Sequence, residues 1–447
     1  MDSKTSRDVF QYVLMGIFIL AAAVSVFVLA TYKPKDLENT GVQIGTLIMW
    51  GPALGGSGTM RDVLEKILKD NNFAGRIDYV AKDSALMYRD LVEAVAGGSP
   101  PDLLFLEGSS LLEMKDQIQP VPYESFTLRQ FRDTYVEGAE LFALTDGIYA
   151  LPILVDPLVL YWNRDLFTNA LVTQVPADWD TFVNSTPRFV KLDGSAGITQ
   201  SAISFGEYAN VHHAREILSA LFMQAGTPIV AYNDDGAFVS RLAARIDESD
   251  AQAVEPAALA LTFYTDFANP RKTVYSWNKT LPRSQEAFAT NKVAMYAGLA
   301  SEASVLASIN PQLNFDVALF PQSARGRTRT TYGAFYGIAA VKQSKNVQQA
   351  FTALPILTNV AAVEALSTAV HLPSVRRDML GGTPTDPFAE VLARSAIIAR
   401  SWLVPPTGGA INELFAQMVA RVTSGQQSAG ASVQRASQEL DVLLTSS

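Results

Sequence analysis

From residue 42 onward, short apolar runs alternate with amphipathic stretches. Residues 42–50 (VQIGTLIMW) predict a strand that ends at Gly51-Pro52. Residues 60–70 place Val63, Ile67 and Leu68 on one face and Arg61, Asp62, Glu65, Lys66 and Lys69 on the other, the spacing of a helix. A second strand is expected at 77–80, a second helix at 85–96 stopped by Gly97-Gly98, and a third strand at 103–106 after Pro100-Pro101-Asp102. Strand, helix, strand, helix, strand implies a parallel sheet with crossover helices. Ligands of such sheets bind beyond the carboxyl ends of the strands. Here those ends are Trp50-Gly51 and Leu106-Glu107-Gly108.

The densest apolar pattern is GIYALPILVDPLVLYWNRDLF, residues 147–167. One run (150–155) meets Asp156-Pro157, a second (158–162) follows, and Asn163-Arg164-Asp165 closes it. The pattern predicts two buried strands back to back, broken by an acid and a proline, where the chain passes from one core into another. A buried carboxylate needs a partner, so Asp156 is either satisfied locally or faces a cleft. Further on, helices are expected at 179–190, 209–224, 255–267 and 284–290, and a hairpin at 231–240 around Asp235-Gly236. Strands are expected at 293–296, 315–320 and 335–341, and three helices close the chain, the last at 431–444.

Before this region, residues 13–31 (VLMGIFILAAAVSVFVLAT) carry no charge and are flanked by Tyr12 and Tyr32. Such a run is long enough for a hydrocarbon core of roughly 30 Å, and tyrosines at both ends suit its interfaces. Residues 12–32 are expected to be one uncleaved transmembrane signal anchor, between an N-terminal flank (1–11) and a tether (33–40). A cleaved signal peptide is the alternative, although its apolar region is usually about 7–15 residues with an A-x-A exit. Lys4 and Arg7 before the span balance Lys33 and Lys35 after it, so charge does not orient it.

A chain of 447 residues exceeds one ordinary core, so two domains are the default. The net charge of −9 argues against nucleic acid as a partner. The absence of cysteine removes disulfides, thiol catalysis, cysteine-based metal centres and lipid attachment through an N-terminal cysteine. Of the three histidines, His212 and His213 are adjacent and would point roughly 100° apart on a helix, unable to share one ion. No H-E-x-x-H occurs, and no metal or cofactor is expected. The loop GPALGGSG (51–58) lacks Gly-Lys-Ser/Thr and does not fit G-x-G-x-x-G. Asn233-Asp234-Asp235-Gly236 lacks calcium-loop spacing, and no G-x-S-x-G elbow is present. Trp50, Trp162, Trp179, Trp277 and Trp402 lie near predicted strand ends or loops. Core packing accounts for most of them, while Trp50 and Trp402 are the two placed to face either the core or a cleft, where flat rings stack on sugars.

An ordered set of segments resembles the family 1 extracellular solute-binding proteins of ABC importers, the maltose-binding type, over nearly all of residues 41–447. PDLLFLEGSSLLEM (101–114) looks like one cleft wall, and YALPILVDPLVLYWNRDLF (149–167) like the first lobe crossing. GITQSAISFG (197–206) with ILSALFMQAGTPIV (217–230) looks like the central segment of the second lobe. EAFATNKVAMYAGLAS (286–301) looks like the helix and strand that lead into a ligand loop, and YGAFYGIAAVKQSKNVQQAFTAL (332–354) like the return strand and its helix. The resemblance implies an α/β, two-lobed periplasmic-binding-protein-like fold of type II with a hinge between lobes. Lobe one would combine 41–152 with 328–356, and lobe two 153–322 with 359–447.

By position in the family, ligand contacts are expected at Trp50, Glu107, Asp156, Tyr208, Asn210, Tyr296, Gly298, Ser301, Tyr332 and Phe335, with Trp402 added from its place before Pro405-Pro406. The tryptophan the family often carries after its "AM" strand is replaced here by Gly298-Leu299-Ala300-Ser301. The implied protein is a monomer that captures a small solute, a sugar or oligosaccharide, outside the cell membrane, delivers it to importer permease subunits and performs no catalysis. A surface sensor or scaffold with the same fold is the alternative. An anchored glycan hydrolase would need paired carboxylates, for which Glu107 and Asp156 are the only nominees.

Overall fold

Alternating burial builds the first layer. Met60, Val63, Leu64, Ile67 and Leu68 form the buried stripe of helix Thr59–Asp70, which packs on strand Arg76–Ala81. That strand runs parallel to Thr46–Gly51, which in turn runs parallel to Leu103–Glu107. The computed structural model describes residues 45–445, except 57, 195–196, 234, 248, 250–252, 325, 327, 383 and 407–408. The expected membrane anchor lies outside the described residues. Among those residues, no single helix is long and apolar enough to cross a membrane.

Beyond Leu103–Glu107, the sheet continues through a return strand, Thr331–Val341, and a crossing strand, Leu151–Asn163, each antiparallel to its neighbour. Strands Val293–Leu299 and Ile198–Ile203 extend it further, and Phe315–Leu319 also pairs with the crossing strand. The result is one 11-stranded sheet.

The two apolar runs around Asp156-Pro157 are one continuous strand of 13 residues, not two. Its first part pairs with the return strand as far as Pro157 opposite Gly333. From Leu158 on it pairs with Val293–Leu299, and from Val159 on with Phe315–Leu319. Proline is poorly tolerated inside a sheet because it lacks a donor. Pro157 stands where the partner strands change over, and its carbonyl accepts from the Ala300 N–H at 3.0 Å. Gly333 lets the return strand close in: a Cβ there would meet Val155 Cγ2 at 2.7 Å and the Ala399 methyl at 2.8 Å.

Other expectations shift. The helix expected from 209 begins at Ala214, because His213 adopts a left-handed φ of 57°. Helix Val360–Val370, assigned to lobe two by the sequence reading, packs instead on helix Thr59–Asp70 in the first half of the sheet. Asn359 Nδ2 fixes that contact by donating to Asn71 Oδ1 at 2.9 Å. Helices Pro387–Ile398, Ala410–Thr423 and Ala429–Thr445 close the chain. The last two pack together and against helix Pro256–Asp266 in the second half.

Buried Asp102 staples the first half. Its Oδ2 accepts from the Ile48 N–H at 2.7 Å, and its Oδ1 from the Ser344 hydroxyl and from Asn346 Nδ2 at 3.2 Å. One carboxylate thus joins strand Thr46–Gly51 to the turn after the return strand.

Candidate functional site

Strand ends leave backbone and side-chain polar groups free to face a ligand. Beyond the carboxyl ends of Arg76–Ala81 and Leu103–Glu107 lies a cavity of about 330 Å³. Ser109, Ser110 and Glu113 contribute from the first half of the sheet, and Arg215, Ile411 and Asn412 from elements of the second half. Both walls are rich in hydroxyl, amide and charged groups, with apolar contact from Val404, Pro405 and Ile411. Ser109 Oγ donates to Glu107 Oε1 at 2.5 Å, and Ser110 Oγ to the Glu107 carbonyl at 2.8 Å. Burial pushes the Glu107 carboxyl upward, against the Ser109 hydrogen bond and the field of Arg215. Arg215 Nη2 donates to Glu216 Oε1 at 2.6 Å.

A second polar cluster surrounds Glu302. Its Oε2 accepts from the Tyr296 hydroxyl at 2.7 Å, and its Oε1 from Gln285 Nε2 at 2.5 Å. His212 Nε2 lies 3.1 Å and His213 Nε2 3.3 Å from the same Oε1. Burial opposes ionisation of Glu302, yet the two histidines beside its carboxylate hold it down at about 2. Burial likewise favours a neutral His213, but Glu216 and Glu302 raise it to about 10. Asp156, only 2% exposed, accepts from the Ser301 N–H at 3.0 Å. Burial pushes its carboxyl up to about 6, with the Ser301 hydrogen bonds pulling the other way.

The adjacent histidines therefore do converge. Their rings lie 4.2 Å apart and both face Glu302. The helical geometry expected from sequence does not apply, because His213 precedes the helix in a left-handed conformation.

The eleven residues expected to touch ligand fall into three groups. Glu107 and Tyr208 each stand one hydrogen bond behind the 330 Å³ cavity, through Ser109 and through Asn412, whose Oδ1 accepts from the Tyr208 hydroxyl at 3.4 Å. Asp156, Tyr296, Gly298 and Ser301 gather around Glu302. A Cβ on Gly298 would lie 2.3 Å from Glu302 Oε2, so the glycine makes room for that carboxylate.

The remaining five are engaged in packing or structural bonds. Asn210 uses its amide on the Asn278 and Leu281 carbonyls and on Trp277 Nε1. Tyr332 and Phe335 are buried. Trp402 stacks on Phe415, donates from Nε1 to Ser219 Oγ at 3.1 Å, and borders a separate cavity of about 510 Å³ near Leu141 and Met223. Trp50 is partly buried at its strand end under the Lys82 ammonium, 4.0 Å from the ring centre.

Sequence reasoning missed Ser109, Ser110, Arg215 and Asn412. Their signal was position: Ser109 and Ser110 directly follow a strand end already marked as a ligand edge.

Residues 75–364 match the family model of bacterial extracellular solute-binding proteins. A curated binding protein of Brucella abortus (strain 2308) is 24% identical over 274 residues, 61% of this chain. The alignment spans 62% of that relative's length. The galactooligosaccharide-binding protein of Bacillus subtilis (strain 168) is 23% identical, over 75% of this chain and 74% of its own. In fold, the chain is similar to the cyclic alpha-maltosyl-1,6-maltose binding protein of Arthrobacter globiformis. The TM-score is 0.72 at 14% identity, covering 90% of this chain and 99% of that one.

Proposed function

The chain belongs to the bacterial extracellular solute-binding protein family, whose members bind solutes without transforming them, and from that membership we propose that it captures an oligosaccharide for an ABC importer. The solute sits in the 330 Å³ cavity, between walls supplied by the two halves of the sheet. That shared wall carries the reading: a ligand held by Ser109 and Ser110 on one side and Arg215 and Asn412 on the other favours the state in which both sides are near. Sugar hydroxyls suit a lining of serine, arginine and asparagine, which can donate and accept at short range.

In this reading the halves are two lobes joined at the crossing and return strands. Lobe one holds residues 41–152 and 328–356, and lobe two holds 153–322 with the closing helices. The helix at 360–370 moves to lobe one, where it packs. Residues 12–32 anchor the protein, with the lobes outside and the importer's permease subunits as partners.

The test is calorimetric and thermal-shift titration of the full chain with malto-, manno- and galacto-oligosaccharides. A ligand at a hundred times its Kd adds about 2.7 kcal/mol of stability. No heat and no stabilisation with any of the three classes at millimolar concentration overturns the carbohydrate assignment.

A further inference from the structure

We infer that His212, His213 and Glu302 form a binding site for a single divalent transition-metal ion of the zinc type, outside the solute cavity. Three observations converge on it. The ligating atoms of the three side chains all lie within 4.8 Å of one another. Two of the three separations, 3.1 and 3.3 Å from Glu302 Oε1 to the imidazole Nε2 atoms, match the edge of a coordination tetrahedron. With zinc–nitrogen and zinc–oxygen bonds of about 2.0–2.1 Å, that edge is about 3.3 Å. His213 Nε2 is buried and makes no aligned hydrogen bond despite its 3.3 Å approach to the carboxylate.

Charge and surroundings fit the same ion. The Glu302 side chain is only 8% exposed, and its ion pairs are both with histidine. The nearby cation Arg215 is engaged by Glu216. The Glu216 carboxylate lies 3.7 Å from the other ring nitrogen of His213, Nδ1, the side from which carboxylates orient imidazole ligands when the N–H donates to them. The Tyr296 hydroxyl and Gln285 amide fix the Glu302 carboxylate from its other sides. The His212 side chain is 46% exposed, which leaves an entry path and a fourth position for water. Binding joins the loop before helix Ala214–Gln224 to the start of helix Glu302–Ile309, next to the Ser301–Asp156 bond at the crossing strand. Binding the metal requires both imidazoles to give up the proton on Nε2.

The experiment titrates chelator-treated full-length protein with zinc, then with cobalt as a spectroscopic probe, in the absence of any sugar. Its outcome is therefore independent of the oligosaccharide reading. The expected result is uptake of one equivalent of zinc and the visible bands of four-coordinate cobalt. His212→Asn, at a half-exposed position, should weaken zinc binding roughly tenfold or more with an unchanged circular dichroism spectrum. His371→Asn, which alters the one remaining histidine, should leave it unchanged. Glu302→Gln should also weaken it. The absence of stoichiometric uptake overturns the site, as does an affinity indifferent to both His212→Asn and Glu302→Gln.

Discussion

At the scale of single residues, Asp156 stores a pH dependence. Its folded pKa of about 6 lies above the ordinary value of 3.8, so the folded state holds the proton more tightly. Stability from this group is complete below pH 4 and is lost as pH rises through 6. The shift of roughly two units corresponds to about 3 kcal/mol at full ionisation. Asp156→Asn, whose amide oxygen can still accept from Ser301, should flatten that fall; denaturant midpoints at pH 4 and pH 7 read the difference directly. Gly298 is a second sensitive point. Gly298→Ala drives a methyl into Glu302 and Tyr296 and should cost about 1–3 kcal/mol, measured by thermal unfolding. That Asp156 needs a partner is legible in the sequence; which partner it has is not. A buried acid beside a proline stands out in any apolar run, whereas its partner, the Ser301 N–H, lies 145 positions away. Asn412, exposed and carrying no pattern, left no trace in the sequence. Asn412→Ala should weaken solute binding without lowering stability, and an unchanged Kd would remove it from the cavity wall.

Among elements, the first three strands and two helices followed from apolar spacing because each buries one face in a repeated strand–helix rhythm. The crossing strand was harder. A proline inside a central strand usually argues against one, so the pattern read as two. The exchange of neighbours at Pro157 that makes it tolerable depends on strands distant in sequence. Apolar spacing places the start of the Ala214 helix five residues too early for a similar reason. Val211 keeps the helical spacing, and only tertiary packing reveals the left-handed turn at His213. Asp102 belongs to this scale because it joins elements. Asp102→Ala removes the acceptor of the Ile48 N–H and frees the 344–346 turn. The expected loss is about 2–4 kcal/mol, with amide exchange rising along Thr46–Gly51 and at the start of helix Val347–Leu357.

For the whole molecule, the ordered set of segments was enough to identify the family, and the fold agrees with it. Helix Val360–Val370 follows the return strand by fewer than twenty residues, yet it packs on helix Thr59–Asp70 near the start of the sheet, a neighbour its position in sequence does not announce. If solute holds the halves together, the radius of gyration from small-angle scattering should fall when a bound oligosaccharide is added, and an unchanged value speaks against closure. The crossing strand also has a mechanical meaning. A single run of backbone is stitched by hydrogen bonds into both halves, so neither half has an independent edge at which to come apart. Heat should therefore melt residues 46–445 as one cooperative event in calorimetry, whereas two resolved peaks would mean that the shared strand frays before either half does.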